Sequence, residues 1–514
     1  LACSPMTLLL HRAARTDRLA DGLAGLLAQP PEDPFAEDLV VVPARGVERW
    51  LTQRLSHRLG AAPGREDGLC AGVALRSPWS LVAELLGTRD EDPWAPGTLA
   101  WPLVQVLDEV LEEPWAAPLA QHLGVGRSGE ELDLRRGRRF AVARRLAGLF
   151  SAYAVQRPSV LADWQSGGSG DGCGGALPPD LAWQPPLWRR LAERVDAPPP
   201  HLRHEETVTR LREEPTSFDL PGRLSLFGHT RIPGTEAALL AALGEHRDVH
   251  LWLPHPSDVM WRSLQPLVAT GPVPRRDDLS HREVSHPLLA ALGRDVRELQ
   301  RTLAAVPVVD EDVAGDPPVR DSLLGWLQAD LRADRAPDAA LVASRRLADD
   351  DRSVQVHACH GPARQVEVLR EVLLGLLAAD STLEPRDVLV MCPDIEAYAP
   401  LVEAGFGLGE VVGPAGHPAH RLRVKLADRS LSSTNPLLAV ARRLLDLAGG
   451  RATAGEVLDL AHEPAVRHRF GLRDDDLAQL TSWVRATGVR WAFDAEHRAD
   501  YGLESVVSHT WEFG

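Results

Sequence analysis

The chain has 514 residues, 44% of them hydrophobic and 25% charged, the composition of a globular protein with room for two to four domains. Its net charge of −16 argues against nucleic-acid binding through bulk positive charge and leaves that task to local basic stripes. No apolar run reaches the roughly 18 residues of a membrane span, and no basic-then-apolar opening reads as a signal peptide.

Cys3, Cys70, Cys173, Cys359 and Cys392 are scattered without pairing spacing, so free thiols in a reducing, cytoplasmic setting are expected. The 56 basic residues are 55 Arg and one Lys, Lys425 in "LRVKLADR". A phosphate-binding loop needs a lysine ammonium after a glycine-rich turn, and a Schiff-base enzyme needs a lysine amine. The setting of Lys425 suits neither.

In chain order, "TLLLHRAARTDRLADGLAGLL" (7–27) reads as strand, turn and helix, with Leu19, Leu23, Leu26 and Leu27 at helical spacing. A second strand, "DLVVVPARG" (38–46), leads into the helix "VERWLTQRLSHRLG", with Val47, Trp50, Leu51, Leu55 and Leu59 inward. Residues 79–212 read as a helical insertion, with one low-complexity loop, "GGSGDGCGG" (167–175), expected to be flexible. The sheet resumes at "GRLSLFG" (222–228), helix "TEAALLAALGEH" and strand "DVHLWLP" (248–254). This predicts a parallel α/β domain over 1–307.

Acidic, proline-bearing sequence around "SLLGWLQADL" predicts a linker over 308–351. A second α/β domain is expected over 352–435, as strand "SVQVHAC", helix "ARQVEVLREVLLGLL" and strand "RDVLVMC". Residues 436–514 read as the start of a further helical insertion, continuing past "HTWEFG".

Two α/β domains with helical insertions are the layout of superfamily 1 helicases, so each nucleotide motif can be checked by position. The first turn, His11-Arg12-Ala13-Ala14-Arg15-Thr16, has neither Gly nor Lys. The strand that should end in Asp-Glu, to hold Mg²⁺ and polarise water, ends Leu226-Phe227-Gly228-His229-Thr230. The strand that should carry an aromatic-Arg pair reads Val390-Met391-Cys392-Pro393. ATP hydrolysis by this chain is therefore not expected.

"HACHGP" places His357, Cys359 and His360 close together, which suits one part of a zinc site. Zinc needs three or four ligands, usually from two clusters, and strand alternation splits this trio between two faces. No metal is expected. The better candidates are two arginine stripes. One is Arg45, Arg49, Arg54 and Arg58. The other is Arg135, Arg136, Arg138, Arg139, Arg144 and Arg145, on a helix whose Phe140, Val142, Leu146, Leu149, Phe150 and Tyr153 face inward, with Arg157 following. Guanidinium groups bind phosphates bidentately and stack on bases.

"ARGVERWLTQRLSHRLG", "LFSAYAVQRPSVLADW", "WQPPLWRRL", "LSLFGHTRIP", "HACHGPARQVEVLREVLLGLL", "LEPRDVLVMCPDIEAYAP", "STNPLLAVARRLL" and "GVRWAFDAEHR" closely resemble the N-terminal half of the RecC family, the gamma subunit of exodeoxyribonuclease V, the RecBCD helicase-nuclease. The resemblance implies a helicase-like fold with degenerate motor motifs: helicase domain 1-like over 1–307, domain 2A-like over 352–435 and 2B-like from 436. It implies a non-motor scaffold that holds and guides unwound strands and scans the 3′ strand for a Chi-type sequence in double-strand-break repair. The implied partners are RecB-like and RecD-like subunits, which use ATP and Mg²⁺, with double-stranded ends, single-stranded DNA and, indirectly, RecA. No cofactor is implied in this chain.

By the same resemblance, Leu149, Arg157 and Arg203 line the scanning channel with the family's residue types. Pro43, Arg45 and Arg49 occupy channel positions where other members carry small polar or amide side chains, and Gly148 and Ser151 replace acidic ones. An AddB-type subunit, expected to carry a motor lysine and cluster cysteines, and a stand-alone metal-dependent hydrolase built on His357, Cys359 and His360 are the alternatives.

Overall fold

The computed structural model describes residues 8–31, 33, 35–60, 68–129, 135, 137–313, 318–407, 413, 416–426, 435–503 and 509–512. The chain divides into two compact units, 1–354 and 355–514.

The first unit is built on a six-stranded, all-parallel sheet. Its strands are β1 (Leu8–Ala13), β2 (Asp38–Val41), β3 (Val73–Arg76), β4 (Arg223–Phe227), β5 (Asp248–Pro254) and β6 (Val308–Asp312), in the spatial order β3-β2-β4-β5-β1-β6. This is the α/β class expected, and it is consistent with a helicase-like fold. Alternation assigns side chains to two buried faces. Leu8, Leu10, Leu39, Val41, Leu224, Leu226, Val249 and Leu251 share one core. Ala13, Val40, Val42, Phe227 and Trp252 share the other, under α1 (Thr16–Leu27) and α2 (Arg45–Ser56).

Between β3 and β4 the regular structure is helical: α3 (Pro78–Leu85), α4 (Pro96–Val110), α5 (Ala117–Leu123), α6 (Arg138–Gln156), α7 (Pro158–Gln165), α8 (Gln184–Arg194) and α9 (Pro200–Glu213). A separate core of Leu103, Leu107, Phe150, Trp164, Trp188 and neighbours holds most of them together. After β4 come α10 (Gly234–Gly244), α11 (Asp258–Val268), α12 (Pro287–Leu292), α13 (Arg294–Ala304), α14 (Leu323–Arg332) and α15 (Ala339–Ser344).

Four expectations are corrected. The acidic stretch read as the start of a linker is edge strand β6, recruited because Arg12 of β1 neutralises Asp310. Strand β3 adds to the expected sheet, being too short for its alternation to stand out in the sequence. The loop 167–175 is pinned rather than loose: Gly170 N–H donates to Asp163 at 2.8 Å, Trp164 Nε1 to the Gly170 carbonyl at 2.9 Å, and Arg189 Nη1 to the Gly168 carbonyl at 3.1 Å. Low-complexity composition reports backbone freedom and says nothing about such anchors.

The fourth concerns the second unit. Its helices are α16 (Gly361–Ala379), α17 (Ile395–Gly405), α18 (Pro436–Ala448), α19 (Ala454–His462), α20 (Pro464–Phe470), α21 (Asp474–Thr487) and α22 (Ala495–Ala499). Segments 353–359 and 386–392 form no ladder, and no strand occurs in this unit among the described residues. Val356, Leu389 and Met391 are exposed there. A helix closes its hydrogen bonds within itself, whereas a strand exists only through a neighbour, so an apolar run predicts a strand whether or not a neighbour pairs with it.

Candidate nucleic-acid interface

In an open parallel sheet the ligand crevice lies outside the carboxyl ends of the strands. At the end of β1, Arg15 occupies the N-cap of α1 in extended conformation, makes no capping bond and pairs with Asp17. Ala14, Arg15, Pro256, Gln328, Leu331 and Arg332 line a cleft of about 230 Å³ there.

At the end of β4, Gly228 adopts φ 77°, and a Cβ there would sit 3.6 Å from Val47 of α2. His229 follows, buried, with no hydrogen-bond partner for either ring nitrogen among the described residues; burial pushes it down to about 4. A neutral imidazole therefore stands where a motor would place metal-binding carboxylates. His255, past the end of β5, is likewise held neutral, at about 3, by burial and then by the Arg12 charge.

The first arginine stripe divides. Arg54 and Arg58 are both tied to Asp21, at 2.9 and 3.4 Å. Pro43, Arg45 and Arg49, at the carboxyl end of β2 and the first turns of α2, are exposed, and neither arginine has an ion-pair partner among the described residues. Trp50 beside them is only partly covered, stacked on buried Phe227 at 6.2 Å.

The second stripe divides too. Arg135 donates to the Gln121 carbonyl at 2.6 Å and Arg139 pairs with Asp108, while Arg136 lies outside the described residues. Arg138, Arg144 and Arg145 are exposed with no ion-pair partner among the described residues. Leu149 is half-buried against the helical core. Phe140, expected inward, is 44% exposed and packs on Trp101, itself 63% exposed, at 5.1 Å. The buried stripe of α6 runs through Ala143, Leu146, Ala147 and Phe150, which leaves Phe140 at its margin.

Arg157 is exposed at the junction of α6 and α7. Arg203 on α9 is half-buried, with Nη1 3.0 Å from Asp92 and its Nε buried without an acceptor. Their sequence neighbours Val155 and His204 reach the start of α10. Thr235 Oγ1 donates to the Val155 carbonyl at 3.1 Å, and the Thr235 carbonyl lies 2.8 Å from His204 Nε2. Residues 228–233 connect β4 to this point, so one short loop meets Val47 of α2 at one end and Val155 and His204, near Arg157 and Arg203 in sequence, at the other. Sequence spacing carried no signal for that convergence, nor for the capture of Arg54 and Arg203 by distant aspartates.

In the second unit, His357 and His360 are exposed and Cys359 points at the His357 carbonyl, 3.7 Å away. Among the described residues no group of three His, Cys, Asp or Glu is arranged to hold a metal. No helix among them is long and apolar enough to cross a membrane.

Residues 8–334 match the family "RecC, N-terminal domain", and residues 434–514 match "RecBCD enzyme subunit RecC fourth domain". The chain is 60% identical to RecBCD enzyme subunit RecC of Mycobacterium tuberculosis over 511 residues, and 60% identical to that of Mycolicibacterium smegmatis over 517. In both comparisons 99% of this chain and 45% of the relative are covered. It is 29% identical to the Escherichia coli protein of the same name over 529 residues, covering 94% of this chain and 45% of the relative. The chain thus spans under half the length of these curated relatives.

Proposed function

The chain belongs to the RecC family, and on that premise we propose that it is the part of a non-motor scaffold subunit that receives unwound single-stranded DNA in a RecBCD-type helicase-nuclease. The observation that carries this reading is the set of exposed arginines without ion-pair partners among the described residues, Arg45 and Arg49 at the carboxyl edge of the sheet and Arg157 at the junction of α6 and α7, in a chain of net charge −16. An acidic protein that leaves such guanidinium groups exposed has local surfaces suited to a threaded single strand.

The function then follows from the family: the subunit guides the 3′ strand, reads a Chi-type sequence and contributes to recombinational repair of double-strand breaks. RecB-like and RecD-like partners supply the motors, with their ATP and Mg²⁺, and RecA is served indirectly. The neutral His229 and the turn lacking glycine and lysine support a chain with no nucleotide chemistry of its own.

The test is single-strand affinity of the full-length protein in its complex. Arg45→Ala and Arg157→Ala should each weaken binding roughly 5- to 150-fold, the equivalent of about 1–3 kcal/mol per lost contact. Unchanged affinity in both variants would overturn the reading.

A further inference from the structure

The aromatic pair Trp101–Phe140 is unusual for a surface. Two large rings, 63% and 44% exposed, lie 5.1 Å apart at an interplanar angle of 41°, on the outer sides of α4 and α6. The helical core does not need them, because it closes through Leu103, Leu107, Leu146 and Phe150.

Their place on α6 connects them to the candidate strand path. At about 100° per residue, Phe140, Arg144, Gly148, Ser151 and Val155 fall within roughly 80° of one another around the helix. They form a band about 22 Å long, at 1.5 Å rise per residue, from the aromatic pair to the Val155 carbonyl that holds Thr235 beside Arg157. Arg144 in this band is exposed with no ion-pair partner among the described residues. Gly148 is open: a Cβ there would meet nothing within 4 Å. The band therefore offers a cation, an unobstructed floor and, at its far end, two exposed rings.

We propose that Trp101 and Phe140 are base-stacking residues for single-stranded DNA, extending the strand path along α6 beyond Arg157. The inference rests on the reading of Arg157 as a strand contact. Charge favours a nucleic acid over a protein here: Arg144 lies within the band, exposed and with no ion-pair partner among the described residues, and a guanidinium group there suits an anionic strand. Rings accept any base, because every base has a π face.

The experiment uses the full-length protein in its native complex and a single-stranded oligonucleotide carrying 5-iodouracil. Irradiation should cross-link the strand to Trp101 or Phe140, located by peptide mass spectrometry and suppressed by unlabelled strand. Trp101→Ala should weaken single-strand binding roughly 5- to 150-fold, and Trp101→Phe should keep most of it. Both positions are at the surface, and an unchanged melting profile verifies that the fold is intact. If Arg157→Ala weakens binding while Trp101→Ala and Phe140→Ala do not, the inference fails and the strand-path reading stands. If none of the three does, both fail. If Trp101→Ala releases partner subunits and leaves strand affinity unchanged, the pair is a protein interface and the inference is overturned.

Discussion

Arg12 of β1 grips Asp310 of β6 across 298 residues of sequence, with Nε to Oδ1 at 2.7 Å and Nη2 to Oδ2 at 3.0 Å. Asp258 accepts from the other side of the guanidinium at 3.1 Å, and Trp261 donates its Nε1 to Asp310 at 2.8 Å while its ring lies under Arg12 at 4.5 Å. Arg12 is 4% exposed. Removing one acid would leave a buried cation only partly compensated, which costs more than the intact pair contributes. Asp310→Ala should destabilise the first unit by about 3–5 kcal/mol and loosen β6, read as faster proteolysis near residue 312 and an earlier unfolding transition in Trp fluorescence. A variant as resistant as the wild type would show that the pair does not hold the strand.

Gly22, in the middle of α1, faces Trp252 of β5, and a Cβ there would stand 2.7 Å from ring carbon Cζ3. Alanine normally improves a helix by about 1 kcal/mol over glycine. The indole cannot yield, since it also stacks on His11 at 3.9 Å and donates to Ser225 at 3.3 Å. Gly22→Ala is therefore expected to destabilise, by about 1–3 kcal/mol less the helical gain, and a higher denaturation midpoint would refute the close approach.

His11 Nε2 lies 3.0 Å from His250 Nδ1 in the core between β1 and β5, with Glu311 3.4 Å from His11 Nδ1. Burial, and then the neighbouring His11, push His250 down to about 4; burial also lowers His11, against the pull of Glu311. An unfolded histidine titrates near 6.5, so between about 6.5 and 4 the unfolded chain binds more protons. Stability from His250 is thus complete above about 6.5 and is lost as pH falls to about 4, on the order of 3 kcal/mol in all. His250→Gln should flatten that part of the urea-midpoint profile; the same slope in both proteins would contradict the assignment.

Among the proposed strand contacts, role should separate by salt. Loss of a phosphate contact weakens binding to every sequence and reduces the salt slope by about one, whereas loss of a base contact changes sequence preference and leaves the slope nearly intact. Arg45→Ala and Arg144→Ala should follow the first pattern. Arg157→Ala is expected to follow the second, and its complex should unwind DNA normally without changing its cleavage pattern at the regulatory sequence.

The isolated full-length subunit should bind no ATP. A fluorescent ATP analogue titrated to millimolar concentration should give no saturable signal that excess ATP displaces, and DNA should stimulate no hydrolysis. Saturable, displaceable binding would mean that the Arg15 and Pro256 cleft holds a nucleotide.

Much of this was legible in the order of residues, because the features concerned are local. The strand at 248–254, the turn without glycine or lysine, the helical stretch from Trp79 and the family motifs each depend on neighbours a few positions apart. Pairing and partnership are not local. An acidic, valine-bearing stretch became strand β6 because Arg12 lay waiting beside it, while equally strand-like segments at 353–359 and 386–392 pair with no strand among the described residues. Of the arginines that spacing had grouped together, Asp21 and Asp108 captured some and left Arg45, Arg49 and Arg144 without an ion-pair partner among the described residues. Side-chain chemistry is written in each residue, but whether a charge is cancelled or a ring is covered depends on what the fold brings against it from hundreds of positions away.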